Sequence, residues 1–202
     1  MYYALVILCA YLIGSSSLSF YISKWKGIDI REKGSKNLGA SNAMVVLGWI
    51  PGIAVAIHDI GKAVLCVLLA QYFFPSLPYI GAVAGVASVL GHIFPFYLKF
   101  KGGKGFASYI GMTFALSWKL GLIICLIVVL AILITDFIVV ATTLTVLTVP
   151  IYLGIAFRSN VLLCILLVAT VVIILKHRVN YVRIIKGTEI GFRSANKGEH
   201  RA

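Results

Sequence analysis

The sequence predicts an all-α, polytopic membrane protein with about seven transmembrane helices, its N-terminus outside and its C-terminus cytoplasmic. Three observations predict this. Of the 202 residues, 61% are hydrophobic and 12% charged, with a mean hydropathy of +1.03. Soluble domains run at about 45–50% apolar and about 25% charged. The apolar residues fall in runs close to the ~20 that cross a bilayer. The basic residues gather at the ends of those runs. An ordinary soluble enzyme, a disordered chain and a disulfide scaffold are excluded. One integral-membrane domain over residues 1–202 is expected.

The runs lie at roughly 2–22, 44–75, 78–98, 105–118, 120–135, 137–157 and 160–175. The first lacks a basic n-region and a convincing cleavage site, so it reads as a retained helix rather than a signal peptide. The second is too long for one untilted crossing and holds Pro51, His58, Asp59 and Lys62, which places its span at about 52–73. The fourth is short and opens with glycine and serine, as a re-entrant or tilted helix would. Gly81, Gly85 and Gly91 on the third run point to close helix packing. Cys9, Cys66, Cys125 and Cys164 all lie inside apolar runs with no metal or disulfide spacing, and read as buried thiols.

Loop charge sets the orientation. Lys24, Lys26, Arg31, Lys33 and Lys36 follow the first run, and Lys99, Lys101 and Lys104 the third. Lys176, Arg178, Arg183, Lys186, Arg193, Lys197 and Arg201 follow the last, which makes fifteen of the 18 basic residues. Seven crossings put all three groups on one face, cytoplasmic by the positive-inside rule. The net charge of +12 therefore reads as cytoplasmic anchoring and contact with anionic lipid or a phosphorylated substrate, not as a nucleic-acid surface.

Three polar stretches fall on that face: Gly34–Ala43, Gly91–Gly105 and His177–Glu189. In the second, Lys101-Gly102-Gly103-Lys104-Gly105 has the make-up of a phosphate cradle. Glycine amides approach an anion closely, two lysines add charge, and a helix starting near Gly105 aims its positive end at the same point. It is not a Walker A loop, since Leu98 stands where glycine is required. The serines and asparagines of the first stretch suit hydroxyl and phosphoryl oxygens. Asp59 and Lys62 share one helical face and read as a structural pair. No Gly-x-Ser-x-Gly elbow and no H-x4-D motif occurs, and no residues have metal-ligand spacing. An enzyme built on these residues positions reactants and stabilises charge, with no metal and no cofactor. The rival readings are a small transporter or flippase, a non-catalytic scaffold, and an enzyme with another acceptor.

Taken in order, GSKNLGASN, GHIFPFYLKFKGGKG and HRVNYVRIIKGTE resemble the three motifs of the bacterial membrane glycerol-3-phosphate acyltransferases of the PlsY type. The likeness spans about residues 10–190. It implies transfer of a fatty acyl group from acyl phosphate to the sn-1 hydroxyl of glycerol-3-phosphate, giving lysophosphatidic acid and inorganic phosphate for phospholipid biosynthesis. It also implies seven helices in the bacterial plasma membrane, an active site facing the cytoplasm, and the enzyme that makes acyl phosphate as a further partner. Carried over by position, Ser35, Lys104, His177 and Asn180 are the expected catalytic residues. Asn37, Gly39, Ala40, Asn42, His92, Lys101, Gly102, Gly103, Gly105, Thr142, Arg183 and Glu189 are the expected substrate-binding residues, with Glu189 orienting Arg183 or a lysine. Asp59 and Lys62 match an Asp-x-x-Lys pair. Three positions depart from the pattern. Ser41 stands for threonine, Ala63 for glycine, and Val45 and Val46 stand where an arginine is common, which removes a bidentate phosphate ligand.

Overall fold

Every apolar run is helical in the computed structural model, which describes residues 1–193. Lys197 and Arg201, counted above among the basic residues, lie outside the described residues. The chain packs as two units, Met1–Trp118 and Lys119 onward.

In the first unit, α1 (Tyr2–Ser15) and α2 (Leu18–Trp25) together form one 24-residue apolar span. At the break, the Ser17 hydroxyl accepts from the Phe20 N–H and caps α2. Then come α3 (Ala40–Leu47) and the 25-residue α4 (Trp49–Phe73). The long second run is thus two helices, parted at Gly48, whose φ of 102° only glycine adopts without strain. Pro51 sits in the first turn of α4, where its missing N–H costs no hydrogen bond. Next are α5 (Ile80–Ile93), a 3-10 turn at Phe96–Leu98, and α6 (Phe106–Leu116). α5 packs against α1 and α4, and α6 against α4. These approaches are close because small residues face backbone. A methyl on Gly14 would strike the Ser88 backbone, one on Gly91 the Tyr11 carbonyl, and one on Gly111 the Ile60 carbonyl. The expected packing role of Gly91 is met here, and Gly85 lies against Met112 and Val67.

The second unit holds α7 (Trp118–Thr135), α8 (Ile138–Ala156), α9 (Asn160–Lys176) and α10 (Arg178–Ile185). α8 packs on α9, and the Thr170 hydroxyl donates to the Val146 carbonyl at 2.8 Å. α7 leaves Leu122, Ile123, Leu126 and Leu133 exposed, a surface suited to lipid rather than water.

Among the described residues, five helical stretches are long and apolar enough to cross a membrane, and α9 with α10, bent by 45°, makes a sixth. α6 has 11 residues and is about 16 Å long, roughly half the hydrocarbon thickness. The short fourth run therefore reaches only part-way as a helix. The cysteine reading needs correction. Only Cys66 is buried, whereas Cys9 and Cys164 are exposed. In a membrane protein an apolar run marks contact with lipid as readily as with the core.

Candidate functional site

The first polar stretch is folded around one side chain. Asn42 is 2% exposed. Its Nδ2 faces the carbonyls of Asn37 (2.9 Å), Ile30 (3.1 Å) and Lys33 (3.1 Å), and its Oδ1 accepts from the Ser35 N–H at 2.8 Å. The carboxamide is used up by the loop it organises. Ile30 and Leu38 pin the loop into a cluster with Ala43, Leu47, Val55 and Leu98, and the Ser19 hydroxyl donates to the Leu38 carbonyl at 2.5 Å. At the loop's start Arg31 grips Asp29 with both carboxylate oxygens engaged (3.0 and 2.7 Å). That guanidinium holds the Asp29 carboxyl below the ordinary carboxylate range. Ser35 and Asn37 are half-buried and Lys36 is exposed. Gly39 caps the start of α3 without a side-chain hydrogen bond, and Ala40 is its first residue. Val45 is exposed on α3, while Val46 packs on the cluster below.

The glycine stretch differs from its expected form. The Gly102 N–H donates to the Ile93 carbonyl and the Gly103 N–H to the His92 carbonyl, both at 3.1 Å. These two amides tie the loop to the end of α5 and do not point at a ligand. Close contact explains the glycines: a methyl on Gly102 would strike the His92 carbonyl, and one on Gly103 would strike His92 Nε2. Two tyrosines fix the same corner. Tyr11 donates to the Phe94 carbonyl at 2.7 Å and Tyr97 to the Ser15 carbonyl at 3.0 Å. The anion-binding character passes to the next residues. Lys104, half-buried, directly precedes Gly105, which begins α6 with φ 91° and no side-chain cap. The first-turn N–H groups of α6 and its positive dipole end open beside that lysine. Lys101 is exposed on the wall of an open cavity of about 430 Å³ that Phe20, Arg31, Tyr97, Leu98 and Lys99 also line.

Behind the glycines lies a buried cluster. Asp59 and Lys62 on α4 are 2% and 5% exposed, and His92 on α5 is 6% exposed. Lys62 Nζ sits 2.8 Å from Asp59 Oδ1 and 3.0 Å from His92 Nδ1, and donates to the Ser16 carbonyl at 2.7 Å. His58 bridges Asp59 Oδ1 (3.3 Å) and the Ser16 hydroxyl (3.1 Å). The i,i+3 pair was legible in the sequence. Its joining to His92, thirty positions on, carried no sequence signal.

In the second unit, His177 is buried at the junction of α9 and α10, and its Nδ1–H donates to the Ile173 carbonyl at 2.8 Å. Asn180, also buried, donates to Glu189 Oε1 at 2.5 Å. This corrects the expected pairing of Glu189 with Arg183 or a lysine. Arg183 stands half-buried in the last turn of α10, and its carbonyl accepts the Thr188 N–H at 2.8 Å. Thr142 is buried in α8 and donates to its own helix at Ile138 (3.0 Å). Its neighbour Thr143, which sequence reasoning missed, meets the Tyr181 hydroxyl at 2.8 Å.

The family model described as glycerol-3-phosphate acyltransferase matches residues 4–187. A glycerol-3-phosphate acyltransferase of Prochlorococcus marinus (strain MIT 9215) is 37% identical over 92% of this chain and 95% of its own length. One of Coxiella burnetii (strain Dugway 5J108-111) is 37% identical over 94% and 97%. A crystal structure of PlsY (YgiH), an integral membrane glycerol 3-phosphate acyltransferase in its glycerol 3-phosphate form, superposes with a TM-score of 0.90 at 31% identity, covering 98% of each chain. The lysophosphatidic acid form of PlsY gives 0.86 at 31% identity, covering 98% of this chain and 100% of that one.

Proposed function

This chain belongs to the glycerol-3-phosphate acyltransferase family, of the PlsY type, and on that premise we propose that it acylates the sn-1 hydroxyl of glycerol-3-phosphate with acyl phosphate as donor. The products are lysophosphatidic acid and inorganic phosphate. The observation that carries this reading is the placement of Lys104 at the uncapped start of α6, beside a loop fastened to α5. A cation and a helix N-terminus meet there, the pairing that favours a bound phosphate group.

The chemistry asks little of the protein. The acceptor hydroxyl attacks the acyl carbonyl, and the carbonyl–phosphate oxygen bond breaks. Phosphate leaves with the electron pair, and the hydroxyl proton passes to a phosphate oxygen. Lys104 and Ser35 hold one phosphate, with Lys101 adding charge. His177 and Asn180, in the second unit, keep the roles their motif implies, as ligands of a phosphate or of the carbonyl oxyanion. Positioning and charge stabilisation supply the rate. The chain lies in a bacterial plasma membrane with its motifs cytoplasmic, an orientation that the clustering of basic residues supports; it needs an odd number of crossings, so the short α6 and the non-helical residues flanking it together complete the seventh.

The test is release of inorganic phosphate from acyl phosphate by purified protein, with and without glycerol-3-phosphate. Release that depends on glycerol-3-phosphate and yields lysophosphatidic acid is expected. No release, or the same release without the acceptor, would refute the reading.

A further inference from the structure

The ammonium of Lys62 has three N–H groups and three acceptor positions around it: Asp59 Oδ1 (2.8 Å), the Ser16 carbonyl (2.7 Å) and His92 Nδ1 (3.0 Å). An ammonium only donates. If His92 carried its proton on Nδ1, that N–H would face another donor at 3.0 Å inside a buried cluster. Asp59 Oδ1 also lies 3.3 Å from Nδ1, but that is a longer approach than the 3.0 Å from Lys62. The arrangement without a donor–donor clash leaves Nδ1 as acceptor and puts the proton on Nε2. His58, half-buried, spends its two ring nitrogens on Asp59 and Ser16. Nε2 points at Gly103, where a methyl group would strike it. Gly103 is the residue before Lys104.

We propose that Lys62, held by Asp59, is a positioning residue that fixes His92 as the Nε2–H tautomer and so presents a hydrogen-bond donor beside the Gly103–Lys104 peptide to an oxygen of the phosphate bound there. This rests on the proposed phosphate site at Lys104. It changes the meaning of the buried pair. Asp59 and Lys62 do more than neutralise each other, because the surplus N–H of Lys62 decides which face of a neighbouring imidazole donates. It also explains why residue 103 is glycine: the ring edge occupies the place where a Cβ would be.

Two measurements test it. The first needs no turnover. The protein contains four histidines, and ¹⁵N NMR of histidine-labelled protein in lipid, with His92→Gln to assign the signal, reads the tautomer of His92 directly. A single Nε2–H form is expected. An Nδ1–H or doubly protonated ring overturns the proposal. The second is a double-mutant cycle. Asp59→Leu with Lys62→Met removes the charges together and leaves no bare ion, and His92→Gln keeps an N–H near the Nε2 position. In the wild-type background, removing the pair is expected to raise KM for the phosphate-bearing substrate about tenfold, the scale of one hydrogen bond to an ion. In the His92→Gln background it is expected to cost less than about threefold, because the glutamine donor needs no tautomer. Equal cost in both backgrounds means that the pair only supports the fold, and the proposal fails. Wild-type protein that ignored acyl phosphate would refute the functional reading while leaving the tautomer measurement standing.

Discussion

Asn42→Ala is the perturbation that most directly separates loop shape from ligand contact. The substitution deletes a carboxamide with four backbone partners: the Ser35 N–H and the carbonyls of Ile30, Lys33 and Asn37. A neutral hydrogen bond contributes about 1 kcal/mol net, so the set is worth up to about 4 kcal/mol. The amide has only two N–H groups for three carbonyls, and Lys33 is exposed enough for water to replace its share. A loss of about 2–3 kcal/mol follows. For a chain of this size that lowers the thermal midpoint by roughly 5–10 °C, measured by fluorescence or scattering in detergent. The loop that loosens carries Ser35 and Asn37, so KM for glycerol-3-phosphate should rise while kcat changes less. A midpoint within 1–2 °C of wild type (about the error of such scans), together with an unchanged KM, would show that Asn42 does not organise the loop.

Three further outcomes are expected. Lys104→Ala should lose roughly tenfold to more than a hundredfold in activity with normal expression, since a hydrogen bond to a charged group contributes about 1.5–3 kcal/mol; a variant within twofold would remove Lys104 from the site. Val45→Arg should lower KM for glycerol-3-phosphate by about tenfold if the new guanidinium adds about 1.4 kcal/mol. Val45 rather than Val46 is the position to change, because it is exposed while Val46 is packed, and an unchanged or raised KM would mean that the pocket binds phosphate another way. Cysteines introduced at Lys36 and Lys101, in a background lacking Cys9 and Cys164, should react with an impermeant reagent only after permeabilisation; labelling of intact cells at either position would overturn the orientation.

The apolar helices were legible because lipid and packed neighbours both demand apolar residues; α10, in the polar stretch after the last run, was not. The break at Gly48 was not legible, since the apolar pattern continues through it and only the backbone angle marks it. Of the site, the motifs identified the residues and misassigned some of their work. Asn42 and the Gly102–Gly103 pair read as ligands because asparagines and glycines among lysines have the chemistry of a phosphate site. Sequence cannot show that their donors are already spent on carbonyls from positions 30, 33, 37, 92 and 93. Glu189 is expected from its motif to orient Arg183 or a lysine, yet its Oε1 accepts from a neutral carboxamide nine residues earlier. Cys9 and Cys164 were misread for a related reason: hydropathy does not distinguish lipid from protein interior.

The position of both members of the buried ion pair on α4 bears on how the chain enters its membrane. A helix carrying a bare carboxylate or ammonium has to wait for a partner segment before hydrocarbon accepts it. Asp59 and Lys62 are three positions apart and 2.8 Å from contact to contact, so α4 brings its own counter-ion and is already neutral when it leaves the insertion machinery. The Ser16 carbonyl is in place by then, since α1 and α2 are made first. The His92 ring comes last, when α5 follows. The cluster can therefore assemble in the order of synthesis, and none of its ions has to wait in lipid for a later helix.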